Sequence, residues 1–320
     1  MIALRITLSI FLGLSIFLPI YTYFVYPFVL KLFKDKKYVS GNITPHVNAI
    51  ICFGSGDNNK KIENVKKSAY KNLNVVASSD ANLVISNTKG EITLFLDNET
   101  ELEEKAISEI VKPFNDKRVD MVVGEQTCIE GNSAFWKYET KIRELESKIG
   151  SVSGANKTLF AVRTDKLFPI PPNIKNLPFY ISTKIKQNKG AIVYCSKAKT
   201  FETKQNSKSF KNMIYEASGF WQSFFVFWAL LFPRNGSFVY LSHRVFKWFL
   251  WLNALLANVC LFLLFPYLPL IISILASEIA FCLFLLLPSN LTRYGVFRLA
   301  RYFLLMNIAY FVGIFIRQKT

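Results

Sequence analysis

The feature that most constrains this chain is an uncharged apolar run near its start, residues 7–30 (TLSIFLGLSIFLPIYTYFVYPFVL). At about 1.5 Å of rise per residue, such a run is long enough to cross a bilayer once. A cleaved signal peptide is the competing reading. The run is too long for that, and no small-residue cleavage site precedes the lysines that follow, so an uncleaved anchor is expected. Three further apolar runs come late, at 249–265, 269–287 and 303–316. The last is short for a full crossing and reads as tilted or partly interfacial. Residues 217–233 (ASGFWQSFFVFWALLFP) are aromatic and apolar between charged stretches, the pattern of a helix lying in the membrane interface.

Hydrophobic residues make up 51% of the chain and gather at its two ends, leaving a Lys- and Asn-rich stretch between them. The expected organisation is a transmembrane anchor over 1–36, a soluble domain over 37–216, an interfacial region over 217–245 and a C-terminal transmembrane region over 246–320. The net charge of +17 is concentrated where it matters, with Lys31, Lys34, Lys36 and Lys37 after the first run and Arg234, Arg244 and Lys247 before the second. Basic residues there are drawn to anionic headgroups by about 1 kcal/mol each. No basic-aromatic repeat or nucleic-acid motif occurs, so the charge points to membrane lipids and not to nucleic acid.

Arg293, Arg298 and Arg301 in the loop 288–302, set against the short uncharged linker 266–268, place that loop and the soluble domain in the cytoplasm, with the N-terminus outside. The expected location is a bacterial inner (plasma) membrane. Glu278 falls within a span, where it is expected to face protein or a polar path. Cys52, Cys128, Cys195, Cys260 and Cys282 form no C-x-x-C pair and read as small apolar residues of a reducing compartment.

The soluble stretch alternates. Strands are expected at His46–Gly54, Asn74–Ala77, Glu91–Asp97 and Val119–Gly124, with helices at Asn58–Asn72, Ser79–Thr88 and Thr100–Phe114, the last N-capped by Thr100. This order predicts an α/β domain with a mostly parallel sheet and helices on both faces, its ligands at the C-terminal strand ends. Asp97-Asn98-Glu99 sits at such an end. Two carboxylates so placed suit a divalent cation holding a diphosphate, although acids opening a helix are equally explained by its dipole. Gly54-Ser55-Gly56 offers either a phosphate cradle or a plain turn capped by Asp57 or Asn58. Phe135, Trp136 and Tyr138 lie at helical spacing, for a core or an acceptor groove. His243 reads as an interfacial packing residue.

Several passages resemble the membrane-bound family 2 glycosyltransferases of the polysaccharide or processive type, whose soluble domain has the GT-A fold. They are YTYFVYPFVLKLF at the end of the first span, Gly90–Gly124 (GEITLFLDNETELEEKAISEIVKPFNDKRVDMVVG), Ser133–Gly150, Gly154–Phe168 (GANKTLFAVRTDKLF), Gly190–Glu202 and Leu241–Trp248 (LSHRVFKW). The resemblance implies a nucleotide-sugar donor, Mg2+ or Mn2+, and a lipid-linked or polysaccharide acceptor. It assigns Asp97 and Glu99 to the metal, Gly54, Asp57, Asp97 and Lys211 to the donor, and Gly154, Ala155 and Asn156 to the acceptor. Glu202 matches an acid after the last strand.

The departures from that pattern are specific. The first strand leads into Phe53-Gly54-Ser55-Gly56-Asp57-Asn58, and an Asp-Gly-Ser turn is missing, with Ser79-Asp80 in its stead. The usual catalytic-base position is occupied by Leu177 and Pro178, neither of which accepts a proton. The Arg-rich diphosphate clamp becomes FKNMIY (210–215), leaving only Lys211. The chain is then either an active transferase whose base is Asp165, Glu125 or Asp57, or an impaired relative serving a partner transferase or an export subunit.

Overall fold

The computed structural model describes residues 2–316 apart from residues 55, 79–81, 83–84, 86–89, 128–133, 203–208, 233–236, 265–267 and 287–294. It divides into two compact units. One contains Met1–Val29, Lys208–Trp221 and Leu241–Gln318; the other contains Leu30–Ser207, Gln222–Tyr240 and Lys319–Thr320.

The chain opens with a long apolar helix, α1 (Ile2–Leu32). Pro19 lies inside it, and the next turn, Tyr21–Val25, is widened to π-helical geometry. Proline removes one backbone donor from the helical ladder, and such a widened turn is one way a helix absorbs the loss.

A seven-stranded sheet follows, in the order β2-β1-β3-β6-β5-β7-β4. Its strands are β1 (Val47–Phe53), β2 (Leu73–Ala77), β3 (Ile92–Asp97), β4 (Thr100–Leu102), β5 (Val119–Thr127), β6 (Leu159–Arg163) and β7 (Ala191–Glu202). The helices of this unit are α2 (Asn58–Lys66), α3 (Ala106–Val111), α4 (Ala134–Lys148) and α5 (Leu177–Gln187). Period-two alternation divides the side chains between the two faces of the sheet. Ala49 and Ile51 of β1, Leu94 and Leu96 of β3 and Leu159 and Ala161 of β6 enter one core, with Ile107 and Ile110 of α3. Ile50, Phe95, Phe160 and Val162 enter the other, with Ile181 and Ile185 of α5. Phe95 and Phe160 stack there at 4.7 Å between ring centroids, each contributing about 2–3 kcal/mol by burial.

The expected α/β fold is present: β1, β2, β3, β5 and β7 run one way, and β6, antiparallel between β3 and β5, and β4, antiparallel to β7, make the sheet mixed. Alternation of helix and strand in the sequence carries no information about a strand inserted in reverse. Thr100 does not cap a helix. It starts β4, and the helix begins at Ala106, because Thr100–Leu102 finds edge partners in Thr200–Glu202. The helix expected over Ser79–Thr88 lies mostly outside the described residues.

C-terminal to the sheet come α6 (Phe210–Val226), α7 (Leu250–Leu264), α8 (Leu268–Leu286) and α9 (Gly295–Phe315). α6 starts at Phe210, seven residues before the aromatic stretch that suggested it. Among the described residues, two helices are long and apolar enough to cross a membrane, Ile2–Leu32 and Gly295–Phe315. A third candidate is the pair Ser237–Trp248 and Leu250–Leu264, bent by 63°. The final run is therefore not short: α9 extends back to Gly295 and takes in Arg298 and Arg301, which the sequence had suggested for a loop. Arg293 lies outside the described residues.

Polar bonds tie the helical unit internally. Asn253 Nδ2 donates to Ser15 O at 2.5 Å, Trp221 Nε1 donates to Tyr310 O at 2.8 Å, and Tyr21 and Ser242 hydroxyls meet at 2.9 Å. His243 is buried against Tyr26, the packing role expected of it. Glu278 is exposed on α8 and does not face the interior of its unit.

Candidate active site

Register fixes what gathers at one edge of the sheet. Phe53 of β1 is level with Asp97 of β3, Leu96 of β3 with Leu159 of β6, and Val123 of β5 with Phe160 of β6. The ends of β1, β3 and β5 and the start of β6 are therefore neighbours. Gly54–Asp57, Asp97–Glu99, Gly124–Glu125 and Asn156–Thr158 converge there.

Asp97 is fully buried. Its Oδ1 accepts from Thr100 Oγ1 at 2.5 Å and from Thr100 N at 3.3 Å, closing the turn into β4. Among the described residues its Oδ2 has no hydrogen-bond partner. Burial raises its pKa, opposed by the Thr100 bond and by the charges of Lys61 and Lys157. Lys61 on α2 is itself buried and donates to Thr100 O at 2.7 Å.

Asn98, between the two acids, secures the facing loop. Its Oδ1 accepts from Gly56 N at 2.8 Å, and its Nδ2 donates to Gly56 O at 2.9 Å and to Asn58 Oδ1 at 2.7 Å. Gly54 adopts φ +94°, and a Cβ on it would lie 2.8 Å from Glu99 Cγ, so only glycine fits comfortably. Asp57 caps α2, its Oδ1 accepting from Asn59 N at 2.8 Å. Of the two readings of the Gly54–Asp57 stretch, the capped turn describes Asp57; Ser55 lies outside the described residues.

Glu99 is the acid of this turn that reaches solvent, with its side chain 29% exposed. Lys157 Nζ donates to Glu99 Oε2 at 2.5 Å. Lys157 belongs to the loop Gly154–Lys157, which is anchored on both sides: Ala155 N donates to Ser182 Oγ of α5 at 3.4 Å, and Asn156 Nδ2 donates to Gly124 O of β5 at 3.5 Å. Thr158 continues the network to Thr200 of β7 at 3.1 Å between hydroxyls. Gln126 Nε2 donates to Glu202 Oε1 at 2.7 Å.

The positions that replace the usual base are helix-opening residues. Leu177 and Pro178 start α5, whose cap Asn176 accepts from Phe179 N at 3.2 Å. Of the substitutes, Asp165 follows β6, and Arg163 of β6 pairs with Ile92 at the start of β3, so Asp165 lies at the opposite edge of the sheet. Glu125 lies at the correct edge. Its carboxylate accepts from Trp136 Nε1 at 3.1 Å through Oε1 and from the Thr140 side chain, its buried Oε2 has no partner among the described residues, and burial raises its pKa. Lys211 falls on α6 in the other compact unit.

Among the described residues no group of three or more His, Cys, Asp or Glu side chains is arranged to hold a metal ion. The donor set nevertheless fits a cation that arrives with a diphosphate. Mg2+ and Mn2+ sites of that kind need only one or two carboxylates, and the partly exposed Glu99 and the unpaired Oδ2 of Asp97 lie at one strand end.

Sequence reasoning pointed to Asp97, Glu99 and the Gly154–Asn156 loop, which the sheet brings to one edge, and passed over Lys157, Asn98 as a loop fastener and buried Lys61. Lys157 lies inside a quoted segment. In a chain with 39 Lys and Arg, nothing local distinguishes it.

A mixed sheet with flanking helices, a carboxylate turn at the end of β3 and a reversed β6 define a GT-A-like fold. The family model "Glycosyl transferase family 2" matches residues 70–175, about a third of the chain, including Asp97–Glu99 and Gly154–Lys157. Among solved structures, the mannosyltransferase PcManGT from Pyrobaculum calidifontis, in complex with GDP-Man and Mn2+, is similar with a TM-score of 0.68 at 15% identity, over 95% of this chain and 99% of that one. TarS residues 1–349 from S. aureus, in complex with UDP-GlcNAc, gives a TM-score of 0.38 at 14% identity, over 54% of this chain and 66% of that one. GalNAc-T7 with UDP, GalNAc and Mn2+ gives 0.39 at 12%, over 66% and 57%. No curated protein matches the chain.

Proposed function

We propose that this chain is a membrane-anchored glycosyltransferase that moves a sugar from a nucleotide-sugar donor to a lipid-linked or polysaccharide acceptor. The observation that carries the reading is the meeting, at one strand edge, of the Asp97–Glu99 turn and the Gly154–Lys157 loop, joined by the Lys157–Glu99 pair. The match of residues 70–175 to the family model covers both sides of that meeting. The long apolar helices α1 and α9 support membrane anchoring, and the lysines after α1 support a cytoplasmic sheet unit.

Glu99, with Asp97 behind it, would hold Mg2+ or Mn2+ together with the donor diphosphate; the ion supplies neutralising charge to the leaving nucleoside diphosphate. Asn98 keeps the Gly54–Asp57 loop against that turn. The Gly154–Asn156 loop presents backbone to the acceptor. In the transfer, an acceptor hydroxyl oxygen bonds to the anomeric carbon, the bond from that carbon to the diphosphate breaks, and the hydroxyl proton passes to a base. Glu125 is the carboxylate of this edge proposed for that proton, since its buried Oε2 is unpaired and its raised pKa suits proton transfer nearer neutrality.

A second reading is an impaired transferase that serves as a binding subunit for a partner transferase or an export component. The specific observation in its favour is that the usual base position forms the apolar first turn of α5. Calorimetric titration of the full-length protein in detergent with GDP and UDP, each with and without Mn2+, tests the site. Mn2+-dependent binding that Glu99→Gln abolishes is the expected result. Absence of binding at millimolar nucleotide in folded protein would rule out the donor site. Binding without any sugar transfer or donor hydrolysis would favour the second reading.

A further inference from the structure

The Lys157–Glu99 pair joins the carboxylate turn to the Gly154–Lys157 loop, and an inference from it deepens the proposed reading. Lys157 Nζ sits 2.5 Å from Glu99 Oε2, with the two side chains 45% and 29% exposed. The same ammonium also lowers the pKa of Asp97. It is therefore a positive charge shared by both acids of the turn, while buried Lys61 serves Asp97 from within the fold. Its loop is the acceptor-side loop, held by Ser182 and Gly124, so the pair fastens the two halves of the site to each other.

We infer that Lys157 is the resident counter-ion of Glu99 in the donor-free protein and becomes a diphosphate ligand when donor binds. A divalent cation and an ammonium cannot both sit on one carboxylate oxygen without strong repulsion at that range. Ion pairs with this much solvent exposure are weak, so Glu99 can release its lysine readily. The freed Nζ remains on a loop held through Ala155 and Asn156 at the same strand edge as the turn, where an incoming anionic diphosphate would be its new partner. The exchange supplies a cation to a site whose resembled basic clamp, FKNMIY (210–215), keeps Lys211 alone. It also makes the site poor at holding metal without nucleotide, because Lys157 competes for Glu99.

This inference rests on the donor-site reading, and the test separates the two. Full-length protein in detergent is titrated with Mn2+ alone, the free ion being followed by electron paramagnetic resonance, and with GDP in saturating Mn2+ by calorimetry. Lys157→Gln is expected to bind Mn2+ alone about two- to fivefold more tightly than wild type, through loss of the competitor, and to bind GDP with Mn2+ about tenfold more weakly. Lys157→Arg, which keeps the charge, is expected to stay near wild type in the Mn2+ titration. If wild type binds no GDP with Mn2+, the donor-site reading fails and the exchange fails with it. If wild type binds GDP but Lys157→Gln shows unchanged Mn2+ affinity, the donor site stands and the exchange is overturned. Unchanged GDP affinity in Lys157→Gln would likewise overturn it.

Discussion

Asn98 holds Gly56 from both sides, accepting from its N–H at 2.8 Å and donating to its carbonyl at 2.9 Å. One side chain thus pairs with a backbone unit as a strand would, and a third bond to Asn58 extends the clasp to the first turn of α2. Asn98→Ala removes all three bonds. The region is exposed, so water replaces part of the loss, and a cost of about 1–2 kcal/mol is expected. Thermal unfolding in detergent reads this directly. GDP affinity in the presence of Mn2+ is expected to fall too, because the loop facing the Asp97–Glu99 turn loses its fastening. Asn98→Asp keeps the acceptor and loses the donor, and is expected to fall between alanine and wild type. An alanine variant with unchanged melting and affinity would show that the clasp holds nothing in place.

Gly54 precedes that loop at φ +94°, a conformation that L side chains rarely adopt. A methyl there would press on Asn98 Oδ1 and on Glu99 Cγ. Gly54→Ala is expected to cost about 1–3 kcal/mol in backbone strain, with further loss from displacing Glu99. The distinguishing sign is a drop in nucleotide affinity larger than a comparable destabilisation elsewhere produces. Ile62→Ala on α2, away from the turn, serves as the control. Equal affinity in the two variants at matched stability would dismiss Gly54 from the site.

Lys61 gives a pH signature. Burial lowers its pKa from 10.5 to about 8, even though the charges of Asp97 and Glu101 favour its ammonium form. Between those two values the folded chain binds fewer protons at this site than the unfolded chain. Stability therefore rises with pH through that window and is lost as pH falls back through about 8. Asp97 is shifted the opposite way by its own burial. Lys61→Met removes the amine while keeping much of the volume. The melting temperature of wild type relative to Lys61→Met is expected to climb as pH goes from 8 towards 10.5. Parallel curves would show that the buried amine is not depressed.

What could be read from the chain and what could not follow from the range of the interactions. β1, β3 and β5 announced themselves as short apolar runs ending in Gly or Asp, because strand burial and turn chemistry are local. The reversal of β6 was not legible. Leu159–Arg163 has the same apolar pattern in either direction, and only its pairing with Ile92–Leu96 sets the sense. Thr100 and the acids after it satisfied every local rule for a helix start, yet the chain took a short edge pairing with β7, a partner about a hundred residues away. At the site, Asp97 and Glu99 were visible as acids at a strand end. Their unequal fates, one sealed and one exposed, were set by Thr100, Lys61 and Lys157. Two of those three are lysines that no spacing rule separates from the rest of a strongly basic chain.

Glu125 supplies the last test, and the one that divides an active enzyme from an impaired relative. Its carboxylate lies at the end of β5, held through Oε1 by Trp136, with Oε2 buried and unpaired. Burial raises its pKa, and Trp136 and the charge of Arg143 oppose the rise. Glu125→Gln preserves shape and the Trp136 bond but cannot take a proton. If Glu125 is the base, transfer should fall by about 10²–10⁴-fold with little change in nucleotide affinity, and the acid limb of the pH–rate profile should disappear. Trp136→Phe removes the donor that stabilises the charged form, so the same limb should move to higher pH, since the folded pKa rises further. A rate in Glu125→Gln within a few-fold of wild type would exclude this carboxylate. With Leu177 and Pro178 unable to act and Asp165 on the far edge, the proton would then pass to Asp57, at the same strand edge, or to a group carried by the acceptor itself.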